Sequence, residues 1–183
     1  MKKKVSITTK TGDQGLTRLF SGEQVLKDSP RLEAYGDLDE LVSVLGVARH
    51  HLQPVHLKEE ILFLQRSLFI VGSELATTAK KIDRLKERVD SAMLKTLEEK
   101  RTALEELVEI PSGFVVPGNS LAGAHLDVAR TVARRCERKI VRLLQEKIVD
   151  NEILLIWFNR LSDYLYLLAR HAEGHPLLVK KNE

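Results

Sequence analysis

The sequence predicts an all-α fold, a single-domain bundle of five helices of the ferritin-like up-down kind, and three observations carry that expectation. Glycine (10) and proline (5) are scarce, and neither occurs in residues 73–110 or 124–173. Stretches of that length without a breaker exceed strand lengths and suit long helices. From residue 37 onward, apolar side chains recur three and four positions apart, the period of an amphipathic helix. A chain of 183 residues that is 43% hydrophobic and 30% charged also has the size and make-up of one domain with one core.

The first helix is expected over about 37–53, opened by Asp37 or Asp39, stopped by Pro54, and buried through Leu38, Leu41, Val42, Leu45 and Ala48. The second, about 56–79, carries Ile61, Leu64, Leu68, Val71 and Leu75. The third, about 83–107, is heavily charged, with a narrow stripe of Leu85, Val89, Met93, Leu97 and Leu104. Pro111, Gly113, Pro117 and Gly118 then form a connection, with Asn119 or Ser120 as the N-cap of the fourth helix, about 120–148. The fifth runs about 151–173 and ends at Gly174 and Pro176. Residues 1–36 are rich in Thr, Gly and Asp without a sustained period and read as a long loop, and 174–183 as a tail. No internal repeat or low-complexity segment is visible.

Several classes are excluded. The net charge is +3, too small for a polyanion-binding protein unless the charge is concentrated. One cysteine, Cys136, allows no intramolecular disulfide or Cys-rich zinc site and points to a reducing, cytoplasmic compartment. The longest apolar run, Ile153 to Phe158, is far short of a membrane span. The basic start (Lys2 to Lys4) leads into no apolar segment, so no signal peptide is expected, and it lacks the arginine of a transit peptide. There is no Glu-x-x-His pair for a di-iron bundle, no His-Glu-x-x-His and no Gly-x-Ser-x-Gly. His50, His51, His56, His171 and His175 read as surface residues.

Charge is in fact concentrated. Residues 121–147 hold seven Lys/Arg against three Asp/Glu, a net of +4, so the remainder of the chain sums to −1. Arg130, Arg134, Arg135, Arg138 and Arg142 form a stripe at about 100° per residue, opposite Val128, Val132, Cys136, Ile140, Leu143 and Leu144. That stripe suits either a solvated face or a polyphosphate site; guanidinium forks match phosphate oxygens bidentately, which favours the second. A basic helix without interleaved aromatics is a poor nucleic-acid binder. The fifth helix is apolar nearly all round, so its Asn159, Arg160 and Asp163 need partners if buried. Arg160 and Asp163 are i,i+3 and able to pair, whereas Asn159 has no local mate and reads as a ligand contact. Thr9-Lys10-Thr11-Gly12-Asp13-Gln14-Gly15-Leu16-Thr17 has the composition of a phosphate cradle, though it is not a Walker A sequence, and a plain turn fits it equally.

Three segments in order sharpen this reading. They are Thr9–Gly15 followed by Arg31-Leu-Glu-Ala-Tyr-Gly-Asp-Leu-Asp39; Phe114-Val-Val-Pro-Gly118 followed by Ala129-Arg130-Thr-Val-Ala-Arg134-Arg135-Cys-Glu137-Arg138; and Phe158-Asn159-Arg160-Leu-Ser-Asp163-Tyr-Leu-Tyr166. Their order and spacing over about residues 5–172 resemble the PduO-type ATP:cob(I)alamin adenosyltransferases.

The resemblance implies a homotrimer with active sites between subunits, ATP with Mg²⁺ and a cob(I)alamin corrinoid as substrates, and transfer of the 5′-deoxyadenosyl group to cobalt. Mg²⁺ would be bound mainly through the ATP phosphates, with no protein metal site. Thr9, Lys10, Thr11, Gly12, Gly15 and Thr17 match the family's ATP loop, and Lys27 and Arg31 match basic positions near the nucleotide. Arg134, Glu137 and Asn159 match nucleotide-binding positions. Asp39 and Arg130 match an intersubunit ion pair, Phe114 the aromatic below the corrin, and Tyr166 a position on the corrin side. Asp39, Phe114, Arg130 and Arg134 are the catalytic candidates. A reductase and an adenosylcobalamin-dependent acceptor enzyme are the implied protein partners. The alternative is a non-catalytic bundle that binds nucleotide or adenosylcobalamin and delivers it. The sequence departs from the common pattern at Asn119, where a glycine is usual, at Asp127, where histidine is frequent, and at Tyr166, often phenylalanine.

Overall fold

The structure, a computed structural model, describes residues 8, 10, 12–175 and 177–179, and the chain is mostly helical. Five α-helices, α1 (Pro30–His51), α2 (Val55–Leu75), α3 (Ser91–Glu105), α4 (Leu121–Gln145) and α5 (Ile153–Glu173), are joined by short connections and one 3-10 helix, Ala79–Arg84. Two small antiparallel sheets accompany them. Strands β1 (Leu16–Arg18) and β2 (Gln24–Leu26) form a hairpin, and β3 (Val115–Val116) pairs with β4 (Leu177–Leu178).

The N-terminal segment is more ordered than a loop. In the hairpin Leu16 faces Leu26 and Arg18 faces Gln24. Helix α1 begins seven residues before the expected start, after Ser29, with Pro30 in its first turn. Proline there is a start signal, since its fixed φ suits the helix and its missing N–H would have no partner anyway. Gly36 sits on the exposed side of α1 without breaking it, and Asp37 and Asp39 lie inside the helix and do not cap it.

The other large departure is the third helix. It starts at Ser91, where the Asp90 carboxylate accepts the Met93 N–H at 2.8 Å. The preceding segment is extended because side chains take its backbone groups: Glu74 accepts the Val89 N–H at 2.9 Å and Asn151 donates to the Val89 carbonyl at 2.7 Å. Helix α2 likewise ends at Leu75, four residues early, because Ala76–Thr78 turn away into the 3-10 helix. Of the two cap candidates, Asn119 and Ser120, it is Ser120 that caps α4, its Oγ accepting the Gly123 N–H at 3.0 Å, and α5 stops at Gly174, where φ is +71°.

Helix α4 packs between α1 and α5, α2 lies against α1, and α3 against α5. Leu41, Leu45, Ile61, Leu64, Leu126, Ile140, Trp157, Phe158 and Leu165 are fully buried in the shared core, each such burial stabilising by roughly 1.5–3 kcal/mol. Val128, expected among the apolar positions of α4, is exposed. No helix of the described residues is long and apolar enough to cross a membrane.

Candidate functional site

The hairpin and the segment before it form a cationic cleft of about 820 Å³, with Lys10, Gly12, Thr17, Arg18, Gln24 and Lys27 among its lining residues. Two tight turns shape it: Asp13 N–H bonds Lys10 O at 3.4 Å and Gly15 N–H bonds Gly12 O at 3.2 Å. Gly15 holds φ +76°, a left-handed conformation that a side chain would strain. A Cβ on Gly12 would sit 3.0 Å from the Lys27 Nζ, so glycine there lets the ammonium lie against the backbone. Lys10, Gly12, Thr17 and Lys27 thus line one cleft. Thr9 and Thr11 lie outside the described residues.

The hairpin is held to the 3-10 helix that follows α2. Lys81 donates to Ser21 O at 2.8 Å and pairs with Glu23 at 2.9 Å, and Thr78 Oγ1 bonds Glu23 at 3.1 Å. The Ser21 hydroxyl, and after it Lys81, hold the Glu23 carboxyl down at about 2, so it stays ionised and keeps these contacts.

Arg31 does not line this cleft. It is buried at 8% exposure and donates to the carbonyls of Leu75 (2.5 Å), Thr77 (2.9 Å) and Ile148 (2.5 Å). These groups lie at and after the end of α2 and between α4 and α5. The geometry therefore makes Arg31 a tertiary clamp, its guanidinium already occupied by carbonyls that a helix end leaves unpaired.

On α4 the arginines divide. Arg135 is ion-paired to Asp37 at 3.1 Å and to Glu40, and Arg142 to Glu146 at 2.7 Å. Arg134 and Arg138 are exposed and have no ion pair among the described residues. Beside them, Asn159 on α5 donates to Glu137 at 3.3 Å and accepts from Arg160 Nη1 at 2.9 Å. Asn159 and Asp163 are exposed, so the expectation that burial forces them to pair fails, and Arg160 bonds Glu98 at 3.1 Å in place of Asp163. None of the five histidines read as surface residues is buried.

An apolar pocket of about 220 Å³ lies against α1 and α2, with Phe20, Tyr35, Leu38, Asp39, Val42 and Phe69 in its lining. Gly72 opens it, since a Cβ there would approach Leu38 to 3.0 Å. Phe20 and Phe69 are 74% and 70% exposed, and Phe114, next to β3, is 87% exposed. Phe20 and Phe69 line the same pocket and so form a contiguous exposed apolar patch, from which Phe114 stands apart. Asp39 is exposed and makes no ion pair among the described residues, whereas Arg130 pairs within the chain with Asp127 at 3.1 Å. Within one chain Asp39 and Arg130 are therefore not brought together. Tyr166 stacks its ring 5.0 Å from the Arg170 guanidinium.

Phe20, Tyr35 and Phe69 are site residues that sequence reasoning missed. Tyr35 and Asp39 are i,i+4 on α1, and Phe69 stands beside the buried stripe of α2, which is the signal that was available. No group of three or more His, Cys, Asp or Glu side chains positioned for a metal occurs among the described residues.

Because Arg18 lines the cleft and Phe20 the pocket, one hairpin joins a cationic half-site to an apolar one. The fold and site thus define a helical protein that sets a cationic cleft beside an apolar pocket. Comparison with known proteins gives the family. The family model described as cobalamin adenosyltransferase matches residues 7–172, and the chain belongs to that family. It is 41% identical to a corrinoid adenosyltransferase of Citrobacter freundii, over 93% of this chain and 96% of that one. It is 37% identical to the corrinoid adenosyltransferase PduO of Salmonella typhimurium, over 93% of this chain, which spans half of that protein's length. Among solved structures it superposes, with TM-score 0.86 and 35% identity over 96% of this chain and 100% of the other, on a variant PduO-type ATP:corrinoid adenosyltransferase from Lactobacillus reuteri complexed with cobalamin and ATP.

Proposed function

We propose that this protein transfers the 5′-deoxyadenosyl group of ATP to the cobalt(I) of a corrinoid, forming adenosylcobalamin and releasing triphosphate. The observation that carries the reading is the shared hairpin, which offers a polyphosphate cleft through Arg18 and an apolar pocket through Phe20. Cobalt(I) supplies the electron pair that attacks C5′; the C5′–O bond breaks, triphosphate leaves with its electrons, and cobalt ends as cobalt(III). Such a reaction requires no protein nucleophile or general base. It requires position and charge stabilisation of the leaving triphosphate.

In this reading Lys10, Gly12, Gly15, Thr17 and Lys27, with Thr9 and Thr11, hold the triphosphate, and Mg²⁺ is carried by its phosphate oxygens. Arg134, Glu137 and Asn159 of an adjacent subunit complete the nucleotide site, since Arg134 has no counter-charge of its own among the described residues. The protein is then a trimer of five-helix bundles of the ferritin-like up-down kind. Asp39 of one subunit meets Arg130 of the next, and Phe114 and Tyr166 face the corrin. Phe114 excludes water and a lower axial ligand from cobalt, which eases its reduction. The lone cysteine supports a reducing, cytoplasmic setting, where a reductase supplies cobalt(I) and an adenosylcobalamin-dependent enzyme takes the product.

The test mixes the protein with Mg-ATP and chemically reduced cobalamin and follows the visible spectrum. Growth of the alkylcobalt spectrum with stoichiometric triphosphate is expected; binding of both ligands without turnover would instead favour a carrier.

A further inference from the structure

We infer that Asp127 is a positioning residue that sets Arg130, and the turn following Phe114, for corrinoid binding. The inference rests on the adenosyltransferase reading. Asp127 is buried at 4% exposure. Its Oδ1 accepts from Arg130 Nε at 3.1 Å, and its Oδ2 accepts from Arg170. Arg170, 2% exposed, also pairs with Glu173 at 3.0 Å. Glu173 in turn accepts the backbone N–H groups of Asn119 at 3.2 Å and Gly118 at 3.4 Å. A continuous ionic chain therefore runs from Arg130 on α4, through the end of α5, to the turn that closes the segment carrying Phe114.

Two features show that the chain is built to be held. Gly123 on α4 lies so close to it that a Cβ would stand 2.5 Å from Glu173 Cγ, and glycine alone leaves that carboxylate its place. The Tyr166 ring lies 5.0 Å from the Arg170 guanidinium, covering it. Asn119, Asp127 and Tyr166, the positions at which the sequence departs from the family pattern, thus all contact Arg170 or Glu173.

The consequence for Arg130 is geometric. Held by Nε, it keeps both terminal nitrogens without a protein partner among the described residues, and its side chain is 27% exposed. A guanidinium anchored by one edge meets an incoming carboxylate or corrinoid amide without first losing its freedom. The same carboxylate, acting through Arg170 and Glu173, fixes the Gly118–Asn119 turn and so the approach of Phe114. One buried charge then coordinates two residues of the corrinoid half-site, while the nucleotide cleft at Lys10 and Lys27 shares no contact with it.

The test compares Asp127→Asn, Asp127→Glu and Glu173→Gln with the wild-type protein in the cobalt(I) adenosylation assay, varying corrinoid and ATP separately. Asp127→Asn is expected to raise the corrinoid KM about tenfold and leave the ATP KM within about twofold, with Glu173→Gln shifting the same way by less. Asp127→Glu, which keeps the charge, should recover part of the loss. An unchanged corrinoid KM in Asp127→Asn overturns the proposal, and so does a parallel rise in both KM values, the mark of general loosening. Should Asp127→Asn fail to fold, Glu173→Gln decides by the same criterion. A wild-type protein that forms no adenosylcorrinoid overturns the functional reading and this inference with it; an active wild type with a normal Asp127→Asn overturns the positioning role alone.

Discussion

Asn159 on α5 bridges two charged side chains, donating to Glu137 on α4 at 3.3 Å and accepting from Arg160 at 2.9 Å. The two bonds fix the orientation of its amide on an exposed face, which is how a recognition group is held ready. Asn159→Ala should raise the ATP KM about tenfold, the loss of roughly 1.4 kcal/mol. Combined with Glu137→Gln, the loss should be less than the sum of the two, because they act as one unit. Steady-state kinetics of the single and double variants checks this.

Arg134 and Arg135 are sequence neighbours with different surroundings, and their variants should separate. Arg134→Ala removes no ion pair of the described residues, so its melting temperature should hold while kcat falls about 10²-fold or more through lost stabilisation of the leaving triphosphate. Arg135→Ala leaves Glu40 without its ion pair and Asp37 with Lys139 alone, and should cost about 1 kcal/mol, read as a drop of roughly 2–4 °C. Calorimetry beside turnover measurements distinguishes the two.

Arg31→Met should behave as a folding variant. Three carbonyls lose their donor, and we expect about 3 kcal/mol of destabilisation, or roughly 6–12 °C in Tm. A variant with unchanged Tm and a raised ATP KM would return Arg31 to the nucleotide site.

Asp39 and Arg130 do not meet within the chain, so a shared site should be recoverable by mixing. Subunits carrying Asp39→Ala and subunits carrying Arg130→Ala, each inactive, should regain about a quarter of the wild-type sites when denatured and refolded together. Absence of recovery would argue against the intersubunit pair.

Alkaline stability should depend on Cys136. Burial, with the nearby Asp37 charge, raises its thiol from 9.0 to about 12. Above pH 9 the unfolded thiol releases a proton that the folded one keeps, so stability falls as pH rises from about 9 to about 12. Tyr164, raised by burial and its bond to Glu60, works in the same direction. Cys136→Ala should lessen the decline between pH 9 and 11 in denaturant titrations.

Much of the fold was legible because helices are local. The breaker-free stretches and the three-and-four period located α4 and α5 within a few residues, and narrowed the cap of α4 to Asn119 or Ser120. What failed was where local rules are overridden. The segment before Ser91 has helical composition, but its Val89 N–H donates to Glu74 and its Val89 carbonyl accepts from Asn151, residues distant in sequence. The N-terminal hairpin escaped because two three-residue strands carry no period to detect.

The site divides in the same way. The glycines, Lys10 and hydroxyls of the cradle are contiguous, and the arginines of α4 share one helix, so their grouping follows from spacing alone, whereas Lys27 reaches the cradle only through the hairpin. Spacing cannot say which arginine keeps a free charge: Arg134 and Arg138 differ from Arg135 only because Asp37 and Glu40 on α1 lie against the latter. Nor can it bring Phe20, Tyr35 and Phe69 to one pocket, or run a carboxylate chain from Arg130 through Asp127, Arg170 and Glu173 to the turn after Phe114. By itself the sequence determined the helices, the concentration of charge and the residue types that chemistry on a triphosphate needs. Tertiary packing decided which of those charges are neutralised and which remain available, because ion pairing depends on distances of a few ångströms between elements far apart in the chain.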